Sequence, residues 1–378
     1  MRRCRSCGGG LGDEALLSYP NSPESAQNFI RNLNHTSDKS VTLKIFQCVS
    51  CGLVQHDLKP VSYYKKVIRA VSFSDEMSQF RLKQLRDWVE RYSLLDKSIL
   101  EVGSGRGEYL DLFKEIGVNN IFGLEFDKNN VLAISEKGNV ATCGYLDSRL
   151  DQITGAPFDA FAIFSFMEHW PKPKLSLDIL KKYLSPNASG LVEVPNFEMI
   201  KKKGLYTEFT VDHIFYYDTK TLTNFLNANG FEVQAMNYIW NDYIISAEII
   251  RRPSLDVDGF RQKFSVISEQ VNSYLDSKYG TKRIIWGAGH QALTVISLTK
   301  IKSKVDYLVD SATFKQNKYT PESHLMINSP EYLMTDKPET ALIMAAGFSD
   351  EIFKIITKNY PFIKNIAILR EDKVEIVK

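Results

Sequence analysis

Ile99-Leu100-Glu101-Val102-Gly103-Ser104-Gly105-Arg106-Gly107 decides the reading of the fold. A short apolar run enters G-x-G-x-G, and EYLDLFKEIG (108–117) continues with apolar positions at helical spacing. Glycines let the chain turn sharply and let a ligand approach the backbone. A dinucleotide fold would use G-x-G-x-x-G to seat a pyrophosphate at the helix N-terminus. Here an acid, Glu101, stands just ahead of the glycines, which suits a cationic ligand without phosphates. A second acid, Glu125 in GLEFD, ends the next strand, where a carboxylate can accept both hydroxyls of a ribose.

Outward from this loop, strand-like runs alternate with helix-length segments. SILEV (98–102), NIFGLEF (120–126), AFAIFSF (160–166) and GLVEVPN (190–196) predict a doubly wound α/β sheet. FEVQAMNYI (231–239) and DYIISAEII (242–250) lie close together and predict an antiparallel edge hairpin. Ahead of them, 75–95 carries Met77, Phe80, Leu82, Leu85, Trp88, Val89 and Tyr92 at helical spacing. After Arg251-Arg252-Pro253 a long polar helix (about 257–279) precedes a second αβ series: RIIWG, VDYLVD, ALIMAAG and NIAIL. The division predicted is 1–72, 73–252 and 253–378, the last a smaller Rossmann-like domain.

Four of the five cysteines form two C-x2-C pairs, Cys4/Cys7 and Cys48/Cys51, each followed by Gly. Two sulfurs three residues apart at a tight turn can face one metal, and Gly suits the left-handed turn. Four thiolates fill a tetrahedral Zn2+ site and leave no open position, which makes it structural. Two disulfides or four free thiols are the alternatives, and a cytoplasmic chain argues against disulfides. Residues 1–60 otherwise show little apolar periodicity, so the metal is expected to stand in for a core. Cys143 reads as an ordinary buried Cys.

With 47 Lys+Arg against 45 Asp+Glu, the net charge of +2 does not imply a phosphate-neutralising surface, so nucleic acid is not an expected partner. No apolar run approaches the ~20 residues that span a bilayer. The N-terminus lacks an apolar signal core, which makes the cytoplasm the expected compartment and empties the sequons at Asn34 and Asn187 of meaning.

The series strand, acid, G-x-G-x-G, helix, strand, acid resembles the S-adenosylmethionine-binding motifs of class I methyltransferases over about 98–250. The resemblance implies that Glu101, Gly103, Gly105 and Gly107 line the methionine part and that Glu125 binds ribose. Phe164 and His169, in the segment ending AFAIFSF, stand where such enzymes cover the cofactor's face.

More widely, CxxCG with CxxCGLVQ, then EVGSGRG, EVPN, VDHIFYY and WGAGHQA…VDS…FKQNKYTP…INSPEYL resemble the sugar C-methyltransferase family, which acts on nucleotide-linked ketosugars. That implies an α/β protein with a small zinc-binding N-terminal domain, a class I methyltransferase Rossmann-like core and a second Rossmann-like domain. VDHIFYY stands where the family has an E-H-x-x-Y-type motif, with Asp212 in place of its Glu. The tyrosine that such enzymes place before S-x-x-M is not evident: Ala70 and Val71 stand there, and Tyr63 and Tyr64 lie earlier.

Methylating carbon beside a ketone needs a base to remove an α-proton, and the enolate then attacks the sulfonium methyl. His213 is the candidate base, since imidazole titrates near neutral pH. Asp212 is expected to orient it, and Tyr216 or Tyr217 to hydrogen-bond the enolate oxygen. Asn196, at a strand end, is a candidate substrate contact. Asp218 reads as the cap of a helix just downstream. The same histidine would serve sugar O-methylation, and a non-catalytic nucleotide-sugar-binding protein is the third reading.

Gly287-Ala288-Gly289-His290-Gln291-Ala292 matches G-x-G-x-x-A after a strand, with Asp310 ending the next; alone it reads as a dinucleotide site. Nothing downstream supplies hydride chemistry, and the resemblance favours a nucleotide-sugar contact through His290, Lys315 and Tyr319, or a structural role. His35, His56 and His324 are expected on the surface, and Lys201-Lys202-Lys203-Gly204 in an exposed loop.

Overall fold

A computed structural model describes residues 2–26, 40–66 and 74–378. His35, the Asn34 sequon and the Ala70–Val71 position lie outside the described residues. The chain divides into two compact units, Met1–Pro253 and Ser254–Lys378.

In chain order the first unit runs β1 (Leu17–Pro23), β2 (Ser40–Gln47), β3 (Val54–His56), α1 (Asp75–Arg91), β4 (Ile99–Val102), α2 (Glu108–Glu115), β5 (Ile121–Glu125), α3 (Lys128–Glu136), β6 (Val140–Cys143) and β7 (Phe158–Phe164). It continues through α4 (Pro173–Leu180), β8 (Leu184–Pro195), α5 (Phe197–Lys203), β9 (Phe215–Tyr216), α6 (Thr219–Ala228), β10 (Phe231–Ile239) and β11 (Ile244–Arg251). Its large sheet has the order β10-β11-β8-β7-β4-β5-β6. Strands β8 to β6 are parallel; β11 pairs antiparallel with both β8 and β10. All four residues of β4 are buried, as expected of a central parallel strand covered on both faces.

Local chemistry sets the helix ends. Ser74 accepts from the Met77 amide at 3.2 Å to open α1, which buries Leu82, Leu85, Trp88 and Val89. Asp218 and Thr221 close a capping box on α6. The three lysines before Gly204 form the last turn of α5 rather than a loop, exposed there, with Gly204 as its left-handed cap at φ 64°.

Two expectations are corrected here. Cys143 is exposed, because β6 is the outer strand of the sheet and has no buried residue. Residues 1–60 do not lean on metal alone. They build an antiparallel sheet, β1-β2-β3-β9, whose last strand comes from 215–216. Its core joins Leu43, Ile45 and Val54 to Val211 and Tyr216, apolar residues far apart in sequence.

The second unit runs α7 (Asp258–Ser277), β12 (Arg283–Trp286), α8 (His290–Leu298), β13 (Tyr307–Val309), β14 (Lys318–Tyr319), β15 (Met326–Asn328), α9 (Leu333–Asp336), β16 (Thr340–Ile343), α10 (Ser349–Asn359), β17 (Asn365–Leu369) and β18 (Val374–Ile376). Its sheet, β14-β15-β13-β12-β16-β17-β18, is parallel except for its two edge strands.

Sequence periodicity hid one feature of α1. Arg81 sits on the buried face, with Nη1 2.8 Å from Glu193 Oε1 and 2.6 Å from Oε2 on β8. Gln84 Nε2 (2.6 Å) and Ser246 Oγ (3.1 Å) also donate to Glu193 Oε1. The guanidinium lies over the Tyr109 and Phe164 rings. Breaking a buried pair strands the partner's charge, so Arg81→Met should cost about 3–5 kcal/mol in urea unfolding. Adding Glu193→Leu should recover much of that loss.

Candidate active site

The β4–α2 loop takes the positive dihedrals that its glycines permit: φ is 77° at Gly103, 55° at Gly105 and 82° at Gly107. A Cβ on Gly103 would lie 2.5 Å from the Phe166 ring, so only glycine lets this loop rest on the segment following β7. Glu125, buried at the end of β5, accepts from the Gly105 amide through Oε2 (2.9 Å) and from the Asp127 amide through Oε1 (2.8 Å). Burial raises its pKa despite these bonds. A carboxylate has about four lone-pair directions, so acceptor capacity remains for a diol. Glu101 is buried on β4, two residues before Gly103.

Beside the loop is a pocket lined by Val102, Gly103, Leu124, Phe126, Tyr145 and Phe166, with Lys65 at its rim. Lys65 reaches it from the N-terminal segment, paired with Asp147 at 2.8 Å and lying over the Phe126 and Tyr145 rings. The lining is mostly apolar and aromatic with one cation, and Tyr145, Phe166 and Lys65 escaped the sequence reading. Phe164 is placed differently from the expectation. Its ring packs against Tyr109 at 4.3 Å in the core between sheet and helices, and Phe166 occupies the face beside Gly103.

At the same sheet edge the turn 167–169 meets 210–217. His169 and His213 lie 4.9 Å apart, ring to ring, at 74°. His169 Nδ1 sits 2.9 Å from the Asp212 main-chain oxygen, which makes Nδ1 the protonated nitrogen and leaves Nε2 a lone pair. Nε2 is 4.0 Å from Glu168 Oε1. Burial lowers the pKa of both imidazoles, that of His213 to about 3, with His169 and His56 adding repulsion. Both are therefore neutral at pH 7. Burial pushes Glu168 up to about 8.

The remaining candidates divide. The Asp212 carboxylate accepts from Tyr63 Oη at 2.5 Å and the Ala26 amide at 3.1 Å. It thus anchors the N-terminal segment, and it is the Asp212 carbonyl that orients an imidazole, His169 rather than His213. Tyr63, not among the candidates read from the sequence, is brought here by the tertiary path of the N-terminal segment. Tyr216 is corrected to a structural role: its hydroxyl exchanges hydrogen bonds with the Thr210 main chain (3.1 and 3.2 Å) inside an apolar cluster. Tyr217 is buried, and its hydroxyl has no hydrogen-bond partner among the described residues. Asn196 caps α5 through Oδ1 and donates to the Asp242 carbonyl at 2.8 Å, which occupies its amide structurally. His56 is fully buried rather than on the surface, bridging the Val211 carbonyl (3.1 Å) and the Leu58 amide (3.1 Å), with its pKa lowered by burial to about 4.

The cysteines converge. Cys4 and Cys51 sulfurs are 3.8 Å apart, Cys7 and Cys48 are 3.5 Å apart, and all four lie within 4.8 Å of one another. Tetrahedral Zn–S bonds of ~2.3 Å imply sulfur separations of ~3.8 Å. The two knuckles repeat one geometry: the Gly8 and Gly52 amides donate to the Cys4 and Cys48 carbonyls (2.9 and 3.0 Å), both glycines at φ near 77–78°. Gln55 Nε2 donates to Cys4 Sγ at 2.9 Å. The cluster can hold a metal ion, and the donor set fits zinc.

In the second unit, Gly287, Gly289, His290, Asp310 and Lys315 line one cleft of about 520 Å³ at the C-terminal edge of the parallel sheet. Asp310 is already satisfied by the Ala288 amide (2.8 Å), the Ala312 amide (2.9 Å) and Lys315 Nζ (2.8 Å). This leaves Lys315 partly neutralised and Asp310 poorly disposed toward a ribose. Tyr319 is on an edge strand, exposed, and is not among the cleft's lining residues. His324 is exposed.

Residues 77–236 match the model of a methyltransferase domain, and 255–361 that of the C-methyltransferase C-terminal domain. The C-methyltransferase NovU of Streptomyces niveus is 20% identical over 92% of this chain and 90% of its own length. A mitochondrial ubiquinone biosynthesis O-methyltransferase of Dictyostelium discoideum is 24% identical over 32% of this chain, a match spanning 45% of that relative. Among solved structures, the plantazolicin methyltransferase BpumL in complex with SAH is 14% identical, covering 47% of this chain and 86% of its own, with a TM-score of 0.39. The domain matches define a methyltransferase. Within that class, the chain carries the C-methyltransferase type of C-terminal domain.

If the four sulfurs hold one ion, elemental analysis should return about one metal per chain. Stripping it under denaturant-free chelation should expose four titratable thiols and loosen β1–β3 in hydrogen exchange. A folded, metal-free protein with four reactive thiols would contradict this.

Proposed function

We propose that this protein is an S-adenosylmethionine-dependent C-methyltransferase acting on a nucleotide-linked ketosugar in the cytoplasm, with a structural zinc on Cys4, Cys7, Cys48 and Cys51. The observation that carries the reading is a neutral imidazole, His213, in ring contact with His169 in the turn whose Phe166 packs on Gly103. The division of labour is zinc module (1–72), methyl transfer (73–252) and a C-terminal part (253–378) that contacts the nucleotide sugar through its His290 cleft.

S-Adenosylmethionine, when bound, supplies an electrophilic methyl group on a positively charged sulfur. Gly103, Gly105 and Gly107 would admit its methionine part against bare backbone, and Glu125 would take the ribose hydroxyls. His213 would remove the proton from the carbon beside the ketone. Deprotonation would leave an enolate carbon as the nucleophile toward which the bound cofactor would present its methyl group. Tyr217, whose buried hydroxyl has no hydrogen-bond partner among the described residues, is the better of the two tyrosines to face the enolate oxygen, because the Tyr216 hydroxyl is already engaged. The low basicity of His213 keeps it unprotonated across neutral pH, with its lone pair free to accept a proton.

The similarity to an O-methyltransferase over part of the chain supports a second reading, methylation of a sugar hydroxyl. Solvent deuterium separates the two: only enolisation washes deuterium into the α-carbon. The test of the whole reading is a panel of nucleotide ketosugars with methyl-labelled cofactor, read by product mass and NMR.

Gly105→Val should abolish S-adenosylmethionine binding in calorimetry, since a branched side chain at φ 55° both strains the loop and fills the approach. A circular dichroism spectrum like that of the unaltered protein would show that the fold survives. His213→Asn keeps polarity and approximate size but not proton acceptance. Methyl transfer should fall by about 10²–10⁴ while cofactor affinity holds. Near-unaltered turnover, with chemistry rate-limiting, would place the base elsewhere.

A further inference from the structure

The reaction above uses His213 but leaves its buried neighbour Glu168 without a task. Glu168 lies in the turn after β7 and is 1% exposed. Its Oε2 is shut off from solvent and has no hydrogen-bond partner among the described residues. A carboxyl oxygen, a ring nitrogen of His169 and one of His213 lie within 4.8 Å of one another. The Glu168 main-chain oxygen accepts from the Ile214 amide at 2.9 Å, so the turn is stitched directly to the residue after His213. The groups that face this carboxyl are His169 in its own turn, Asp212 and His213 in the facing segment, Tyr217 beyond β9 and Tyr243 between β10 and β11. Both imidazoles are neutral, and the Asp212 carboxylate is engaged with Tyr63 and Ala26.

A carboxylate so enclosed needs a positive charge or a proton, because an isolated buried charge is costly. The ligand read for this site brings a positive charge: the sulfonium of S-adenosylmethionine, whose seat at Gly103 touches Phe166, two residues before Glu168. We propose that Glu168 is a positioning residue for the base, carrying a proton while the pocket is empty and losing it to solvent when the cationic cofactor enters. The resulting carboxylate is the counter-charge that lets His213 become imidazolium when it takes the substrate proton. The balance is simple: one O–H bond of Glu168 breaks, its proton goes to buffer, and no electron is transferred. An acid that is neutral at rest agrees with the upward shift of its pKa to about 8.

This inference rests on the cofactor reading, and the test separates the two. S-Adenosylmethionine and SAH, which lacks the sulfonium charge, are titrated calorimetrically into the zinc-loaded protein at pH 7 in buffers of different ionisation enthalpy. Most of one proton per chain should be released with S-adenosylmethionine and far less with SAH. In Glu168→Gln, an isosteric mimic of the neutral acid, the difference should vanish while both ligands still bind. Infrared difference spectra of the unaltered protein give a check that needs no variant. The carbonyl band of a protonated carboxylic acid should disappear on adding S-adenosylmethionine and persist with SAH. Glu168→Gln should also lower turnover and move the acidic limb of its pH profile, which a purely structural contact would not do. Equal proton release by both proteins overturns the proposal and leaves the cofactor reading standing. Failure of S-adenosylmethionine to bind overturns both. A stoichiometric Mn2+ site, seen by electron paramagnetic resonance in the unaltered protein and lost in Glu168→Gln, also overturns it, because the carboxyl would then be a metal ligand rather than a proton store.

Discussion

The main chain of one residue, Ile214, holds the site together. Its amide donates to Glu168 in the turn after β7, and its carbonyl accepts from His56 at the end of β3. Immediately after it the chain pairs Phe215 and Tyr216 with Gln55 and Val54. The candidate base His213 is therefore strung between the methyltransferase sheet and the small sheet that carries the cysteines. Backbone hydrogen bonds are directional and costly to leave unmade when buried, so this register has little freedom to slip. The cysteine cluster matters to the site for this reason: Cys48 and Cys51 flank the turn that sets β2 against β3, and β3 sets β9.

The second constraint is dryness. Glu168 is buried and His169 and His213 are partly buried at a sheet edge where the N-terminal segment is held by Tyr63 on Asp212 and Lys65 on Asp147. Exclusion of water makes each imidazole a weak base and the carboxyl a weak acid, the resting state of least charge. A cationic ligand then changes the electrostatics of all three groups at once. The acids Glu101 and Glu125 lie on neighbouring strands of the same sheet.

Much of this was legible in the chain because the signals are local. A strand, three glycines and a helix must occupy adjacent positions, so EVGSGRG could be read as a ligand loop without knowing what faces it. The two C-x2-C-G knuckles likewise report their own turn geometry, and the Asp218 cap its own helix. Less legible were residues whose neighbours are distant in sequence. Phe166 rather than Phe164 faces the loop, a choice set by which side of β7 each ring leaves. Tyr216 was misread because its hydroxyl satisfies Thr210. His56 was read as a surface residue because nothing near it in sequence foretells Val211.

What the sequence by itself determined is the order of elements, the glycine loop with its two acids, and four cysteines able to meet at one ion. These follow from backbone dihedral preference, apolar period and ligand spacing, each contained within a few residues. Only the tertiary structure decided that a two-residue strand from 215–216 completes the N-terminal sheet, that Tyr63 reaches Asp212, and that Glu168 is buried beside two neutral histidines. The physical reason is that burial and pairing are properties of what packs against a residue. Desolvation turns an ordinary Glu-His dipeptide into a proton-holding group, and no local pattern encodes how much water is removed.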